Sequence, residues 1–239
     1  MTDYRNEIKV IGFDLDQTLY PKSPEIDEAI QGYLYKKIAE HKNCGLEEAE
    51  KLFKGLYKEG RGLSGRKTMM ELGVPNAEQL VQEALEKADI EKFLTPNKET
   101  IGILNKLKET YGKVDLITGS DVNIANKKLK KLGMENIFSK IISADIASKS
   151  DGEAYKLWLS FYPKCKPGEF LYVGDRVSLD YIIPKELGIN SIMVNVKEKD
   201  INVECPQLKS IIEIGKYLFR KTARSSPDLA VVTKTTHHI

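Results

Sequence analysis

Short apolar, β-branched runs alternate with helical patterns along most of this 239-residue chain. The apolar runs predict strands at residues 8–13, 113–117, 140–143, 170–173 and 191–194. The intervening patterns predict helices at residues 100–110, 122–132, 153–161 and 179–187. Such alternation is typical of βαβ units, which build a parallel sheet with helices on both faces. We therefore predict an α/β fold, a Rossmann-like three-layer sandwich with a mostly parallel sheet.

Residues 21–95 interrupt this alternation with helical patterns and contain no convincing strand. Ile26, Ile30, Leu34 and Ile38, for example, recur at the spacing of one helix face. We predict an all-helical domain over residues 21–95, inserted directly after the first strand. Residues 1–20 and 96–219 would then form the α/β core, and the polar residues 220–239 a flexible tail. Because the insertion leaves and re-enters beside the first strand, it is placed to cover the carboxyl end of that strand.

The composition and charge of the chain indicate which kinds of binding partner are not to be expected. The chain is 41% hydrophobic and 30% charged, which is ordinary for a globular protein, and 37 basic against 35 acidic residues give a net charge of +2. This balance gives no reason to expect a nucleic acid polymer or a membrane as partner. No apolar run approaches the roughly 20 residues of a membrane span, and the first residues carry no signal segment. The three cysteines form no C-x-x-C pair, so we expect a cytoplasmic protein with reduced thiols. We expect it to be a monomer or a homodimer.

The first predicted strand ends in two carboxylates, Asp14 and Asp16, with Thr18 close behind. Acids one residue apart point to opposite faces of a continuing strand, so the chain must turn if both are to serve one site. Buried carboxylates are costly unless a cation lies nearby. One carboxylate and a neighbouring backbone oxygen suit Mg²⁺, which leaves the second acid free for proton transfer.

Polar residues also follow the other predicted strands. Thr118 and Gly119 follow the second strand, a loop after the third leads to Lys149, and Asp175 and then Asp180 follow the fourth. Ligands of open α/β sheets bind outside the carboxyl ends of the strands, so we expect these residues to converge with the first two acids. Together they could hold a divalent cation, bind a phosphate and supply a nucleophile.

Four segments carry a resemblance to the haloacid dehalogenase superfamily. D-L-D-Q-T-L resembles its D-x-D-x-T motif and L-I-T-G-S its hydroxyl motif, while V-G-D-R-V-S-L-D resembles its G-D-x-x-x-x-D motif. Lys149 resembles the lysine of a motif that usually reads K-P-x-P, but Ser150 replaces the proline and is predicted to cap the next helix. Order and spacing match over residues 8–195, and the insertion resembles the C1 cap. Residues 11–60 are more loosely similar to the pyrimidine 5′-nucleotidase-like subgroup.

The resemblance implies a role for each acid. Asp14 would be the nucleophile that forms an aspartyl-phosphate, and also a metal ligand. Asp16 would protonate the leaving alkoxide and later help to deprotonate water, while its main-chain carbonyl binds Mg²⁺. Asp175 would be the second carboxylate ligand. Asp180 would support the metal through a water molecule or by orienting its ligands.

The same resemblance assigns the phosphate to three residues. Thr118 and the amide of Gly119 would hydrogen-bond the phosphate, and Lys149 would hold both Asp14 and the phosphate. The predicted activity is Mg²⁺-dependent hydrolysis of a small phosphomonoester, such as a nucleoside monophosphate or phosphoglycolate.

Four alternatives differ from this activity in testable ways. A phosphomutase of the β-phosphoglucomutase kind shares all four motifs and stays open. A dehalogenase needs neither metal nor second acid, so Asp16 and Asp175 argue against it. A receiver domain lacks the helical insertion. A non-catalytic binding module on the same fold would usually have lost Asp14, which is present.

Overall fold

A five-stranded, fully parallel sheet with the order β3-β2-β1-β4-β5 forms the centre of the protein. The computed structural model describes residues 7–21, 23–57, 62–88, 90–195 and 203–219, so the predicted tail at 220–239 lies outside the described residues. All five predicted strands are confirmed to within two residues at each end. They are β1 (Val10–Phe13), β2 (Val114–Ile117), β3 (Ile141–Ile142), β4 (Phe170–Gly174) and β5 (Asn190–Met193).

Within the described part of residues 21–95, four α-helices follow β1: α1 (Pro24–Lys42), α2 (Leu46–Lys54), α3 (Gly65–Glu71) and α4 (Ala77–Lys87). The predicted apolar stripe of α1 is buried, and it belongs to one hydrophobic cluster with Phe13 and Leu15 at the end of β1. Ser23 caps α1, since its hydroxyl accepts a hydrogen bond from the Ile26 amide at 3.3 Å. The helical insertion therefore packs over the carboxyl end of β1, as its position in the chain suggested. Its division from the core at residues 21 and 95 stays a prediction.

The remaining helices cover both faces of the sheet: α5 (Lys98–Tyr111), α6 (Val122–Leu132), α7 (Glu153–Ser160), α8 (Ile183–Glu186) and α9 (Glu213–Leu218). α5 and α6 bury their apolar faces in the same cluster as α1, whereas α7 packs Trp158 against Tyr172 on the opposite face. Gly12 makes this second contact close, because a Cβ there would lie 2.7 Å from the Trp158 ring. The three-layer α/β prediction is confirmed. Within the described residues, we find no helix with the length and hydropathy that a bilayer crossing requires.

The segment after β4 differs from its prediction as a helix at residues 179–187. A π-helix covers Val177–Ile182, and α8 begins only at Ile183. Pro184 has no N–H to donate to the Asp180 carbonyl, and its ring is incompatible with a regular α-helical turn at that point. The wider turns of the π-helix carry the chain past this point, and Pro184 lies in the first turn of α8.

Candidate active site

A tight turn after β1 brings its two acids to one place. The Leu19 amide donates to the Leu15 carbonyl at 3.0 Å, and Gln17 adopts a left-handed conformation with φ of 60°. Asp14 and Asp16 consequently line the same cavity. The predicted turn is thus present in the structure.

Asp14 is held by a buried lysine. The Lys149 Nζ lies 2.8 Å from Asp14 Oδ1 and 2.6 Å from Asp180 Oδ1, and the Thr18 hydroxyl donates to Asp14 Oδ2 at 3.1 Å. Burial acts to lower the pKa of Lys149, but the two carboxylates outweigh it and leave that pKa well above its usual value. Lys149 is therefore a permanent positive charge directly beside Asp14.

Three acids gather around this lysine. One carboxylate oxygen each from Asp14, Asp175 and Asp180 lies within 4.8 Å of the other two. Burial, with repulsion from the other two carboxylates, raises the pKa of Asp175 to about 8. Burial likewise raises the pKa of Asp14 to about 6, although Lys149 opposes the shift. Among the described residues, none offers a hydrogen bond to the buried Asp175 Oδ1. A divalent cation fits this oxygen-only set, because it would neutralise the repulsion and occupy that orphaned atom.

Asp180 makes hydrogen bonds and an ion pair to three of its neighbours in the site. Its Oδ2 accepts hydrogen bonds from the amides of Asp175 and Arg176 at 3.1 and 2.9 Å, while Oδ1 pairs with Lys149. Gly174 makes room for it, since a Cβ there would come within 2.4 Å of the Asp180 side chain. The Asp180 carboxylate is fully buried, and its predicted support of the metal, through water or by orienting the ligands, stays a prediction.

The loop after β2 contributes through its backbone. Gly119 and Lys149 are among the described residues that line the cavity, but Thr118 is not. The Thr118 hydroxyl accepts a hydrogen bond from the Ser120 amide at 3.0 Å, and its own amide donates to the Ile142 carbonyl. Thr118 therefore shapes the loop that presents Gly119, and the predicted direct contact between Thr118 and phosphate stays a prediction.

Asp16 has a partner that the sequence reasoning missed. The Lys128 Nζ lies 2.6 Å from Asp16 Oδ1, the Ser120 hydroxyl donates to Oδ2 at 2.9 Å, and the Tyr20 hydroxyl also donates to Oδ1. Burial acts to raise the pKa of Asp16, but Lys128 and the two hydroxyls outweigh it and leave that pKa below its usual value. Asp16 is consequently held as a carboxylate.

A sequence signal for Lys128 exists. It lies on α6 together with Ala125, Leu129 and Leu132, at the i, i+3, i+4 and i+7 positions of the buried face. A lysine on an apolar stripe is unexpected unless a buried acid pairs with it.

The cavity has a volume of about 210 Å³ and lies between the strand ends and the helical insertion. Its sheet side carries most of the charged groups, namely Asp14, Asp16, Lys149 and Arg176. Its helical side is formed by Asp27, Ile30, Gln31, Leu34, Phe53, Tyr57, Gly65 and Val81, so it is mainly apolar but carries one acid.

The fold and the site together define a Rossmann-like α/β protein with two distinguishing features. Its sheet edge gathers an acid–lysine cluster, and a helical insertion after the first strand covers that edge. The family model for haloacid dehalogenase-like hydrolases matches residues 11–194. The chain belongs to this hydrolase family, which confirms the family prediction; the looser likeness to the pyrimidine nucleotidase subgroup stays a prediction.

A named relative resembles this chain over most of its length, and two solved structures share its fold. A glyceraldehyde 3-phosphate phosphatase of Methanocaldococcus jannaschii is 28% identical over 78% of this chain and 85% of its own length. The crystal structure of a HAD phosphatase from Thermococcus onnurineus matches with a TM-score of 0.59 and 22% identity, covering 89% of this chain and 98% of that one. A putative β-phosphoglucomutase from Thermotoga maritima gives a TM-score of 0.61 and 21% identity, with 88% and 98% covered. The two structural matches support the fold alone.

Proposed function

We propose that this protein is a Mg²⁺-dependent phosphomonoester hydrolase that works through an aspartyl-phosphate on Asp14. The observation that carries the proposal is the Asp14 carboxylate, buried 2.8 Å from the Lys149 ammonium beside two further acids at the end of a cavity. A nucleophilic carboxylate and a fixed cation for the phosphoryl oxygens are the two groups that phosphoryl transfer requires.

The residues divide the work as follows. Asp14 attacks phosphorus, and Lys149 holds both the nucleophile and a phosphoryl oxygen. Mg²⁺, held by Asp14, Asp175 and the main-chain carbonyl of Asp16, would neutralise the phosphoryl oxygens. Asp180 keeps the Asp175 amide and Lys149 in place through its own hydrogen bonds.

In this proposal Asp16 is first the general acid and then the general base. It gives a proton to the leaving alkoxide and afterwards takes one from the water that hydrolyses the aspartyl-phosphate. The first step needs the protonated acid and the second needs the carboxylate. Lys128 favours the carboxylate, so Asp16 must first take up a proton from solvent before it can protonate the alkoxide in the first step.

The substrate proposed is a small phosphorylated metabolite of about the size of a triose phosphate. A cavity of about 210 Å³ accommodates a phosphate and a short carbon chain, and the Methanocaldococcus jannaschii relative is named for glyceraldehyde 3-phosphate. A nucleoside monophosphate, the larger candidate from the sequence, would extend into the adjoining cleft beside Arg66 and Ser178. A cytoplasmic location and a monomeric or homodimeric state remain predictions from the sequence.

The test is phosphate release from triose phosphates, phosphoglycolate, sugar phosphates and nucleotides, with and without Mg²⁺. We expect activity that EDTA abolishes, and a loss of at least ~1,000-fold in Asp14→Asn because the nucleophile is gone. Asp151→Asn is the matched control, since Asp151 is exposed and asparagine keeps its acceptor for the Glu153 amide. Activity that survives in Asp14→Asn, or in chelator, would refute the mechanism. Substrate turnover with isomerisation and no phosphate release would instead show a phosphomutase.

A further inference from the structure

Lys128 is a charged residue in the protein interior, where an unpaired charge is energetically unfavourable. It lies on α6 with its side chain fully buried, and its recorded partners are Asp16 Oδ1 at 2.6 Å and the Ser120 hydroxyl at 3.3 Å. A buried ammonium group costs several kcal/mol unless it is paired and hydrogen-bonded. The pairing with Asp16 is therefore the main reason for a lysine at this position to be tolerated.

Three separate segments converge on the Asp16 carboxylate. Lys128 approaches from α6, Ser120 from the loop after β2, and Tyr20 from the turn after β1 itself. Lys128 also donates to Ser120, so the ammonium group ties the β1 and β2 loops together. Both loops contribute to the cavity, through Asp14 and Gly119. The position of Asp16 thus depends on contacts outside its own loop.

We propose that Lys128 is a positioning residue that fixes the Asp16 carboxylate relative to the phosphate-binding loops. The proposal rests on the proposed function, in which Asp16 transfers protons to and from the reacting oxygens. A proton-transfer group must lie within hydrogen-bond reach of its target, and a displacement of about 1 Å can cost ~100-fold in rate. Loss of Lys128 should therefore damage the steps that need Asp16 more than the binding of phosphate.

The discriminating test compares two esters in Lys128→Met. Glyceraldehyde 3-phosphate has an alkoxide leaving group that must be protonated, whereas 4-nitrophenyl phosphate leaves as a stable phenolate. The ratio kcat/KM reports the first phosphoryl transfer, so we expect it to fall at least ~10-fold more for glyceraldehyde 3-phosphate than for 4-nitrophenyl phosphate. Lys127→Met is the control, because Lys127 is the exposed neighbour on the same helix, and both ratios should stay at the wild-type value.

A merely structural role for Lys128 would lower both ratios equally or neither, and either result would overturn the proposal. A rise of the ratio for glyceraldehyde 3-phosphate would also overturn it, because Lys128 would then act on the protonation of Asp16 and not on its position. A double variant with Asp16→Asn adds a second criterion, because Lys128→Met should have little further effect on glyceraldehyde 3-phosphate once Asp16 is replaced. A crystal structure of Lys128→Met should show the Asp16 side chain in a different rotamer, and an unchanged rotamer would also count against the proposal.

If Lys128→Met does not fold, Ser120→Ala provides the same comparison. It removes one donor from Asp16 and one acceptor from Lys128 without leaving a buried charge unpaired. The expected change has the same direction and is smaller. If the wild-type protein releases phosphate from neither ester nor from any in the screen, the proposed function fails. An active wild type with an unchanged ratio in Lys128→Met and Ser120→Ala overturns the role of Lys128 alone.

Discussion

Gly174→Ala is predicted to disrupt the site, although the substitution does not replace a charged residue. A Cβ at this position would lie 2.4 Å from Asp180 Cβ, and real Cβ contacts essentially never fall below 3.0 Å. Asp180 would have to move by at least the difference of 0.6 Å between these two distances. Its Cβ cannot yield by a simple rotation, since it is fixed to the backbone of the π-helix.

The expected loss in the free energy of unfolding follows from the contacts that Asp180 makes. It accepts charge-assisted hydrogen bonds from the amides of Asp175 and Arg176 and pairs with Lys149. Each such contact contributes about 1.5–3 kcal/mol, so the loss of two would destabilise the fold by about 3–6 kcal/mol. Since domains are commonly stable by about 5–15 kcal/mol, the variant should fold with a much reduced margin.

Urea unfolding, monitored by tryptophan fluorescence, would measure this loss of stability, because the chain has a single tryptophan, the buried Trp158. Gly102→Ala is the matched control: nothing lies within 4 Å of its added Cβ, and it is a helix-interior position of α5. Alanine there should stabilise by up to ~1 kcal/mol. A Gly174→Ala protein with wild-type stability and activity would refute the argument that Asp180 organises the site.

Two further predictions concern buried acids. Burial raises the pKa of Asp115, although Tyr162 and Trp158 donate to its Oδ2 at 2.7 and 2.9 Å. Stability from this group is present below the usual pKa of aspartate and is lost as pH rises through the raised value. Urea unfolding at pH 7 should thus find Asp115→Asn no less stable than wild type, while Asp115→Ala loses about 2–4 kcal/mol through two unpaired donors. Asp175→Asn should raise the metal-free stability by on the order of 1 kcal/mol above pH 8, where the wild-type carboxyl is charged, and the gain should vanish below pH 4. The same variant should lose the rise in Tm that Mg²⁺ gives the wild type, and an undiminished rise would argue against Asp175 as a ligand.

Local chemistry explains why much of the fold could be read from the sequence. α6 begins and ends where predicted because Asp121 accepts the Asn123 amide at 2.7 Å and Gly133 takes a left-handed conformation with φ of 68°. The strand ends were equally clear, since apolar runs stop abruptly at polar residues. A parallel sheet then brings those ends to one edge without any further information.

Some misses arise from local competition between neighbouring caps, and others arise where tertiary contacts decide. The predicted cap at Ser150 is wrong: its amide donates to the Ser148 hydroxyl, and the helix begins at Glu153, whose amide the Asp151 side chain accepts. The π-helix after β4 has no pattern of its own in the sequence. Lys128 shows the same limit, because its partner Asp16 lies 112 positions away in the chain.

The parallel sheet also determines when this site can come into existence during synthesis. β1 is made early, but its residue Phe13 pairs with Val173 of β4, 160 positions later. At a translation rate of about 5–20 residues per second, roughly 10–30 s pass before β1 can meet β4. The helices α1 to α4 emerge in that interval and can shield the apolar β1 from other chains. The apolar end of β1 thus has the helices of the insertion as packing partners well before its neighbour β4 exists.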